Sequence, residues 1–204
     1  MTVQSVSSRE ILIEYLTGSS EGAALFLKRA ALVIIGAAAI AIASKARIPM
    51  WPVPVTLQTF AVLTIGAAYG PRLGPASVLL WLGLGAAGLN VFASASQSAS
   101  GVSYFLGDSG GYLLGFALAA TILGLLARRG WDRTPAMTAA AMAIGNAAIY
   151  FPGLLWLGLR HGFDAPILEW GLYPFLVGDI AKICLAMTVF PIAWRTVKRA
   201  TGKV

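Results

Sequence analysis

The chain has 204 residues, of which 58% are hydrophobic and only 11% are charged, and its mean hydropathy is +0.78. Soluble domains carry about 25% charged residues, so this composition excludes an ordinary water-soluble core and favours a polytopic membrane protein. The net charge of +7 does not require a nucleic-acid partner, because membrane proteins concentrate Lys and Arg in their cytoplasmic loops.

Six apolar segments follow a polar N-terminal segment, residues 1–22, in which a short amphipathic helix is predicted near 11–16. A helix needs about 20 residues to cross a bilayer, and the second and third segments are shorter than this, separated by the compact turn GPRLGP. The prediction is an all-α, polytopic membrane protein with six transmembrane helices in one membrane domain, residues 1–204. The predicted spans are 23–44, 55–69, 76–91, 110–127, 134–159 and 174–197.

The connections between the segments alternate in character. The first outer loop, KARIPMWPVPVT, carries three prolines that favour extended backbone. The second, residues 92–109, is an extended outer loop between helices 3 and 4, and its composition suits a lid and a flexible connector equally. In the third, RHGFDAPILEWGLY, we expect a short interfacial helix.

The distribution of basic residues predicts the orientation. If both termini are cytoplasmic, most of the 15 Lys and Arg residues fall on the cytoplasmic side, three fall outside, and Lys182 lies within the membrane. The expected location is a cell membrane, with both termini cytoplasmic. The cytoplasmic set is Arg9, Lys28, Arg29, Arg72, Arg128, Arg129, Arg133, Arg195, Lys198, Arg199 and Lys203.

The strongest candidate site is a pair of opposite charges in the last apolar segment, Asp179 and Lys182. They are three residues apart and share one helix face. A charge near the bilayer centre costs about 2.5–3.5 kcal/mol on insertion scales, so an intramembrane ionisable residue indicates a functional site. The alternative is an ion pair that only neutralises itself. Pro174 suits a first helical turn, which places the pair near the outer end.

Weaker candidates lie elsewhere near the predicted outer end. Asn146 and Tyr150 are four apart and face either a pocket or a neighbouring helix. Asn90 caps a helix or contacts a ligand, and Gly111 permits a sharp turn or a close approach. Three polar residues open the second segment from the outside, and for Gln58 the satisfaction of free helix amides is a sufficient role: Thr56, Gln58 and Thr59.

Small residues on the first span form two close-packing faces. Ala37 and Ala41 are four apart, as are Ala39 and Ala43, and such faces suit either packing within the bundle or a partner subunit. His161 is the only histidine, so we expect no metal site. No nucleotide-binding pattern is present in the sequence, no cofactor is expected, and any ATP must be bound by another chain.

Three stretches taken together resemble the BioY family of biotin-specific S components of energy-coupling-factor transporters. They are VPVTLQTFAVLTIGAAYGPRLGPASVLLWLGLGAAGLNVFA, GDSGGYLLGF and GDIAKI. The resemblance implies six helices, biotin held near the outer face, and partners in the form of a transmembrane coupling subunit and a cytoplasmic ATPase pair. A homo-oligomer is left open.

The same resemblance implies ligand contacts for Asp179 and Lys182, and it places Asn90 beside the ligand. Biotin combines a ureido ring that has two N–H donors and a carbonyl with an apolar thioether ring and a carboxylate tail. Asp179 can accept the N–H groups, and Lys182 can donate to the carbonyl or to the tail. The aromatic candidates to cover the apolar ring are Trp51, Phe92, Tyr112 and Tyr150.

Three other functions compete with biotin capture. One is an S component for another vitamin, such as thiamine or riboflavin. A proton-coupled secondary transporter could use Asp179 and Lys182 as its relay. An intramembrane protease is disfavoured, because a serine enzyme needs a histidine at membrane depth and His161 lies in a predicted loop, while Asp179 is the only predicted intramembrane acid.

Overall fold

The computed structural model describes residues 11–17, 21–93 and 101–201, and within these ranges it is predominantly helical, as predicted. The two strands contain two residues each and pair antiparallel. The helices are α1 (Leu12–Thr17), α2 (Gly22–Lys45), α3 (Gln58–Ala86), α4 (Val102–Phe105), α5 (Gly110–Arg128), α6 (Pro135–His161), α7 (Ile167–Gly171) and α8 (Tyr173–Thr201), and the strands are β1 (Arg47–Ile48) and β2 (Val55–Thr56).

Four helical stretches in the described part of the chain are long and apolar enough to cross a membrane. Their outward faces carry large apolar side chains, with Ile42, Phe151 and Val177 each more than 70% exposed. Such surfaces are stable in contact with lipid and not with water, which supports a multi-pass membrane protein. The four stretches are Gly22–Lys45, Gly110–Arg128, Pro135–His161 and Ile167–Ala200.

Helix α3 is broken at Gly70, where φ is +77° and ψ is −176°. A Cβ on Gly74 would lie only 2.9 Å from the Cα of Gly66, so the two halves of α3 fold back against each other. These two halves correspond to the predicted second and third segments. The predicted end of the second segment, at residue 69, agrees with the turn, and the other predicted bounds differ by three to five residues. The first half begins at Gln58, and the second begins directly after Gly70 and ends at Ala86.

The predicted GPRLGP turn is correspondingly misplaced, because only its first residue leaves the helical conformation. Glycine reaches a positive φ without the steric cost that a Cβ brings. Pro71 then occupies the first position of the second half, where its missing N–H has no intrahelical partner to lose. Pro75 lies within the first turns of the same half.

The helices pack in the order α2–α3–α5–α6–α8, with the most extensive contact between α3 and α5. Small residues allow these helices to approach closely. A Cβ on Gly115 of α5 would lie 2.7 Å from the Cα of Ile149 on α6. The core between the helices includes the fully buried side chains of Trp81, Leu123 and Leu157.

The two ends of the bundle differ, and we call them the loop-rich end and the α1 end. The loop-rich end carries β1, β2, α4 and α7. The proline-rich first loop is extended, as predicted, and its two strands pair with Ile48 opposite Val55. Helix α7 lies within the loop where a short helix was predicted. Residues 94–100 of the predicted 92–109 loop lie outside the described residues.

The α1 end is covered by the short helix α1, close to the predicted 11–16. Ile11 is buried, and its Cδ1 would lie 2.3 Å from a Cβ on Gly70, so α1 packs against the turn of α3. Glu14 forms an ion pair with Arg128 of α5, with Nη2 and Oε1 3.0 Å apart. These contacts fix α1 across the ends of α3 and α5.

Candidate functional site

Asp179 and Lys182 lie one turn apart on α8 and point into the bundle. Their side chains are 5% and 12% exposed, and Lys182 Nζ lies 3.1 Å from Asp179 Oδ1. Both charges are therefore removed from lipid and from most of the solvent. Since a buried charge requires both an opposite charge and hydrogen bonds, the surrounding polar groups decide what this pair can do.

The pair is hydrogen-bonded within itself and to groups from other parts of the fold. Lys182 Nζ donates to the carbonyl oxygen of Thr56 at 3.0 Å, to Thr59 Oγ1 at 2.8 Å, and to Asp179. An ammonium has three protons, so all its donors are used. Asp179 Oδ2 accepts a hydrogen bond from the hydroxyl of Tyr150 on α6. The network joins α8 to α6 and to the start of α3.

A cavity opens beside this network at the loop-rich end. Its empty space is about 470 Å³, including its open mouth. Thr56, Thr59 and Tyr150 belong both to the network and to the cavity wall, so the charged pair lies directly behind that wall. The lining residues are Val53, Pro54, Thr56, Gln58, Thr59, Ala93, Tyr104, Ser109, Tyr112, Leu113, Phe116, Ile149, Tyr150 and Phe175.

Aromatic rings form one side of the cavity. Tyr112 stacks on Phe175 with ring centroids 6.4 Å apart, and Tyr150 meets Phe175 edge-on at 6.2 Å. The hydroxyl of Tyr112 donates to the carbonyl of Gly171 at 2.8 Å, which ties α5 to α7. Across the cavity, burial raises the pKa of Tyr104, so its phenol remains a neutral hydrogen-bonding group. The wall thus combines apolar faces with a few fixed hydroxyls.

Gln58 supplies an uncommitted amide to the cavity. Its side chain belongs to the lining, the residue is 5% exposed, and the side chain makes no hydrogen bond among the described residues. An amide both donates and accepts hydrogen bonds. Gln58 can therefore bind a polar ligand group without breaking an existing contact.

The segment after α3 forms the rim of the cavity and places two of the predicted residues outside it. Lys45 donates to Asn90 Oδ1 and to the carbonyl of Phe92, both at 2.8 Å. Asn90 is exposed and does not line the cavity. Phe92 is 1% exposed and stacks on Tyr104 at 4.5 Å, so it supports a lining residue from behind.

Two further predicted residues lie beside the cavity and do not line it. A Cβ on Gly111 would lie 2.3 Å from the carbonyl oxygen of Pro152, so this glycine allows α5 and α6 to touch. Asn146 is 8% exposed, one turn from Tyr150, and makes no hydrogen bond to the described residues. The structure thus brings Asp179, Lys182, Tyr112 and Tyr150 together and leaves Asn90, Phe92, Gly111 and Asn146 around them.

The four alanines predicted to bind a partner do not all face outward. Ala37 is 2% exposed and belongs to the core of this chain. Ala41 and Ala43 are half-buried, and Ala39 is exposed. Around Ala39, α2 also exposes Ile35 and Ile42.

Sequence reasoning did not select several residues of the wall. Thr59 and Gln58 were noted as polar residues that open an apolar segment, but they were not predicted to bind a ligand. Their position directly after a proline-rich loop is the sequence pattern that could have identified them. Tyr104, Phe116 and Phe175 carry no such signal, because an aromatic residue in an apolar segment is usually a packing residue.

A multi-helix membrane protein with an aromatic-walled cavity at one end, backed by a buried acid–base pair, belongs to the class of membrane proteins that bind a small polar ligand. The model of the BioY family matches residues 14–199. The chain belongs to the BioY family.

Named relatives and a solved structure agree with this assignment. The "Probable biotin transporter BioY" of Pyrococcus horikoshii is 35% identical over 162 residues, which cover 79% of this chain and 93% of the relative. The "Biotin transporter BioY" of Thermotoga maritima is 33% identical over 159 residues, or 78% and 87% of the two chains. The crystal structure of the S-component for biotin from an ECF-type ABC transporter shares the fold, with a TM-score of 0.70 at 23% identity, over 86% of this chain and 95% of that one.

Proposed function

We propose that this protein captures biotin in the cavity at its loop-rich end, as the substrate-binding S component of an energy-coupling-factor transporter. The observation that carries the proposal is the Asp179–Lys182 pair, buried directly behind the wall of an aromatic cavity. The named relatives are biotin transporters, which argues for transport and against the intramembrane protease considered above.

The chemistry of the cavity suits the parts of biotin. The carboxylate of Asp179 accepts the ureido N–H groups in exchange for the bond from Tyr150, and Lys182 donates to the ureido carbonyl or to the tail in exchange for Thr59. Charge-assisted hydrogen bonds of this kind are about twice as strong as neutral ones. The rings of Tyr112 and Phe175 cover the thioether ring, and Gln58 offers a further polar contact.

The proposed topology has six membrane helices in a bacterial inner membrane. Four are the long stretches, and the two halves of α3 provide the other two, because the turn at Gly70 returns the chain to the end from which it came. The loop-rich end faces outward and the α1 end faces the cytoplasm, with both termini. This orientation places Arg72, Arg128 and Arg129 on the cytoplasmic side, in accord with the positive-inside rule.

The proposed partners are a transmembrane coupling subunit and a pair of cytoplasmic ATPases. No nucleotide-binding pattern occurs in the sequence, so the energy for release must come from another chain. The surface of α2 around Ala39 and Ala43 offers the coupling subunit a small-residue face among exposed isoleucines. Ala37 and Ala41 lie on the side of α2 that packs within this chain.

Equilibrium binding of biotin to the purified chain tests the proposal. Asp179→Asn removes the charge that accepts the N–H groups and should cost at least about 1.5 kcal/mol, or more than about tenfold in Kd. Asp164→Asn is the matched control, since Asp164 is exposed in the loop before α7. Unchanged biotin affinity in a folded Asp179→Asn protein would remove Asp179 from the site.

Two further measurements separate the competing transport functions. Mass spectrometry of small molecules that co-purify with the chain, followed by a binding panel, distinguishes biotin from thiamine and riboflavin. Uptake that depends on ATP hydrolysis by partner subunits supports the S component. Uptake driven by a proton gradient alone would assign Asp179 and Lys182 to a proton relay.

A further inference from the structure

A second cavity lies at the α1 end, far from the charged pair of α8. Its empty space is about 530 Å³, and its lining comes from α1 with the preceding Ile11, from α2, from both halves of α3 beside the Gly70 turn, and from the end of α5. Apolar side chains and three arginines share its lining. The lining residues are Ile11, Ile13, Glu14, Arg29, Tyr69, Arg72, Leu73 and Arg128.

The charges in this cavity do not cancel. Three arginines and one glutamate line it. Glu14 pairs with Arg128 at 3.0 Å, which leaves Arg29 and Arg72. Among the described residues, neither of these two guanidinium groups makes an ion pair or a hydrogen bond, and both residues are exposed. Two guanidinium groups therefore face the same cavity with their donors available to an anion.

We propose that this arginine-lined cavity binds the phosphate of an anionic phospholipid. A guanidinium presents a planar fork of donors that matches two phosphate oxygens. In the proposed topology the cavity lies at the cytoplasmic surface of the membrane, at the level of the lipid headgroups, and basic cavities between helices on that side suit such headgroups. The proposal rests on that orientation and not on the identity of the transported molecule.

The surface beside the cavity favours a lipid over a free anion. Phe26 precedes Arg29 by three residues, so both lie on one face of α2, and Phe26 is 72% exposed. Leu27, the next residue, is 66% exposed. A phosphate held by Arg29 would therefore lie beside apolar surface that acyl chains can cover, whereas inorganic phosphate gains nothing from that surface.

The cavity depends on α1 remaining in place. Ile11 occupies the space left by the missing side chain of Gly70, and Glu14 holds the end of α5 through Arg128. These contacts hold Ile11 and Glu14 at the cavity that Arg29 and Arg72 also line. A lipid bound there would contact α1, α2 and α3 together and would stabilise the position of α1.

Native mass spectrometry of the delipidated full chain tests the proposal. The protein is titrated with phosphatidylglycerol and, separately, with phosphatidylcholine of the same acyl chains. We expect phosphatidylglycerol to bind more tightly, and Arg29→Gln and Arg72→Gln each to weaken it roughly fivefold, as expected for one basic residue near a membrane surface. The control is Arg129→Gln, since Arg129 is an exposed arginine at the same end that does not line the cavity.

The outcomes separate the sources of the anion. Equal loss in the Arg129→Gln control, or no preference for phosphatidylglycerol, overturns the proposal. Displacement of the lipid by inorganic phosphate reassigns the cavity to a free anion and also overturns it. If Arg29→Gln or Arg72→Gln keeps the preference for phosphatidylglycerol but no longer assembles with the coupling subunit, the arginines contact a protein partner, and the proposal is wrong. Unchanged melting temperatures in lipid-free detergent establish that the variants are folded, and this readout does not depend on biotin binding.

Discussion

Each end of the bundle buries one acidic side chain, and the hydrogen bonding of the two carboxylates differs. At the loop-rich end, both oxygens of Asp179 have hydrogen-bond partners, Tyr150 and Lys182. At the α1 end, Asp132 is 3% exposed, and Oδ2 accepts from Trp194 Nε1 at 2.7 Å. Its Oδ1 has no hydrogen-bond partner among the described residues.

The difference indicates which acid belongs to a ligand site. Asp179 has an opposite charge and a hydroxyl as partners beside an open cavity, so both of its oxygens are hydrogen-bonded where a ligand can reach. Asp132 lies beside apolar residues of α5, α6 and α8. Burial raises its pKa to about 6, although the Trp194 hydrogen bond and the charge of Arg133 act in the opposite direction. Asp132 is thus a structural acid, and its charged form lowers the stability of the fold.

The largest expected effect on stability comes from removing the basic side chain that pairs with Asp179. Lys182→Ala removes the ammonium and leaves a buried carboxylate with Tyr150 alone. Breaking one side of a buried ion pair costs about 3–5 kcal/mol of stability. We expect a large fall in thermal stability in detergent together with loss of biotin binding.

The double variant Asp179→Leu/Lys182→Met separates the two effects of that change. Replacing both partners by apolar residues is often neutral for stability, so we expect thermal stability to recover while biotin binding does not. Recovery of binding as well would mean that the pair serves only the fold, and the contrast with Asp132 would disappear.

The charged pair was predictable from the sequence, but its surroundings were not. Asp179 and Lys182 stand out because charges are rare in an apolar helix. Thr56 and Thr59 reach Lys182 from a segment more than 120 positions earlier, and no local pattern encodes such a contact. The helices were predictable from apolar length, whereas the position of the α3 turn depends on the conformation of one glycine, Gly70.

A smaller effect is expected from titration of Asp132. Its folded pKa of about 6 lies above the ordinary aspartate value of 3.8, so the folded state binds the proton more tightly than the unfolded state. The stabilisation from the protonated form is therefore fully present below pH 3.8, and it is lost as the pH rises to about 6. A shift of this size corresponds to about 2–3 kcal/mol.

Thermal denaturation across that pH range measures the effect. Asp132→Asn keeps an acceptor for Trp194 and adds donors, so we expect a higher melting temperature than the native chain near neutral pH and a smaller difference in acid. Asp164→Asn, at an exposed position, should show no such trend. A gain that is constant with pH would mean that Asp132 does not titrate across this range, and the prediction would be wrong.

The smallest expected effect separates packing from ligand chemistry at the loop-rich end. Gly111 lies next to Tyr112 of the cavity wall, yet an added Cβ would lie 2.3 Å from the Pro152 carbonyl and 2.4 Å from Trp156 Cβ. Gly111→Ala must push α5 and α6 apart, and overpacking of this kind costs about 1–3 kcal/mol.

Gly83→Ala is the control, because a Cβ there meets nothing within 4 Å, and alanine raises helix stability. We therefore expect a lower melting temperature for Gly111→Ala and a higher one for Gly83→Ala. Biotin affinity should fall in Gly111→Ala only to the extent that the shift of α5 displaces Tyr112. A loss of affinity in Gly111→Ala without a loss of stability would instead place the ligand against the backbone of α5.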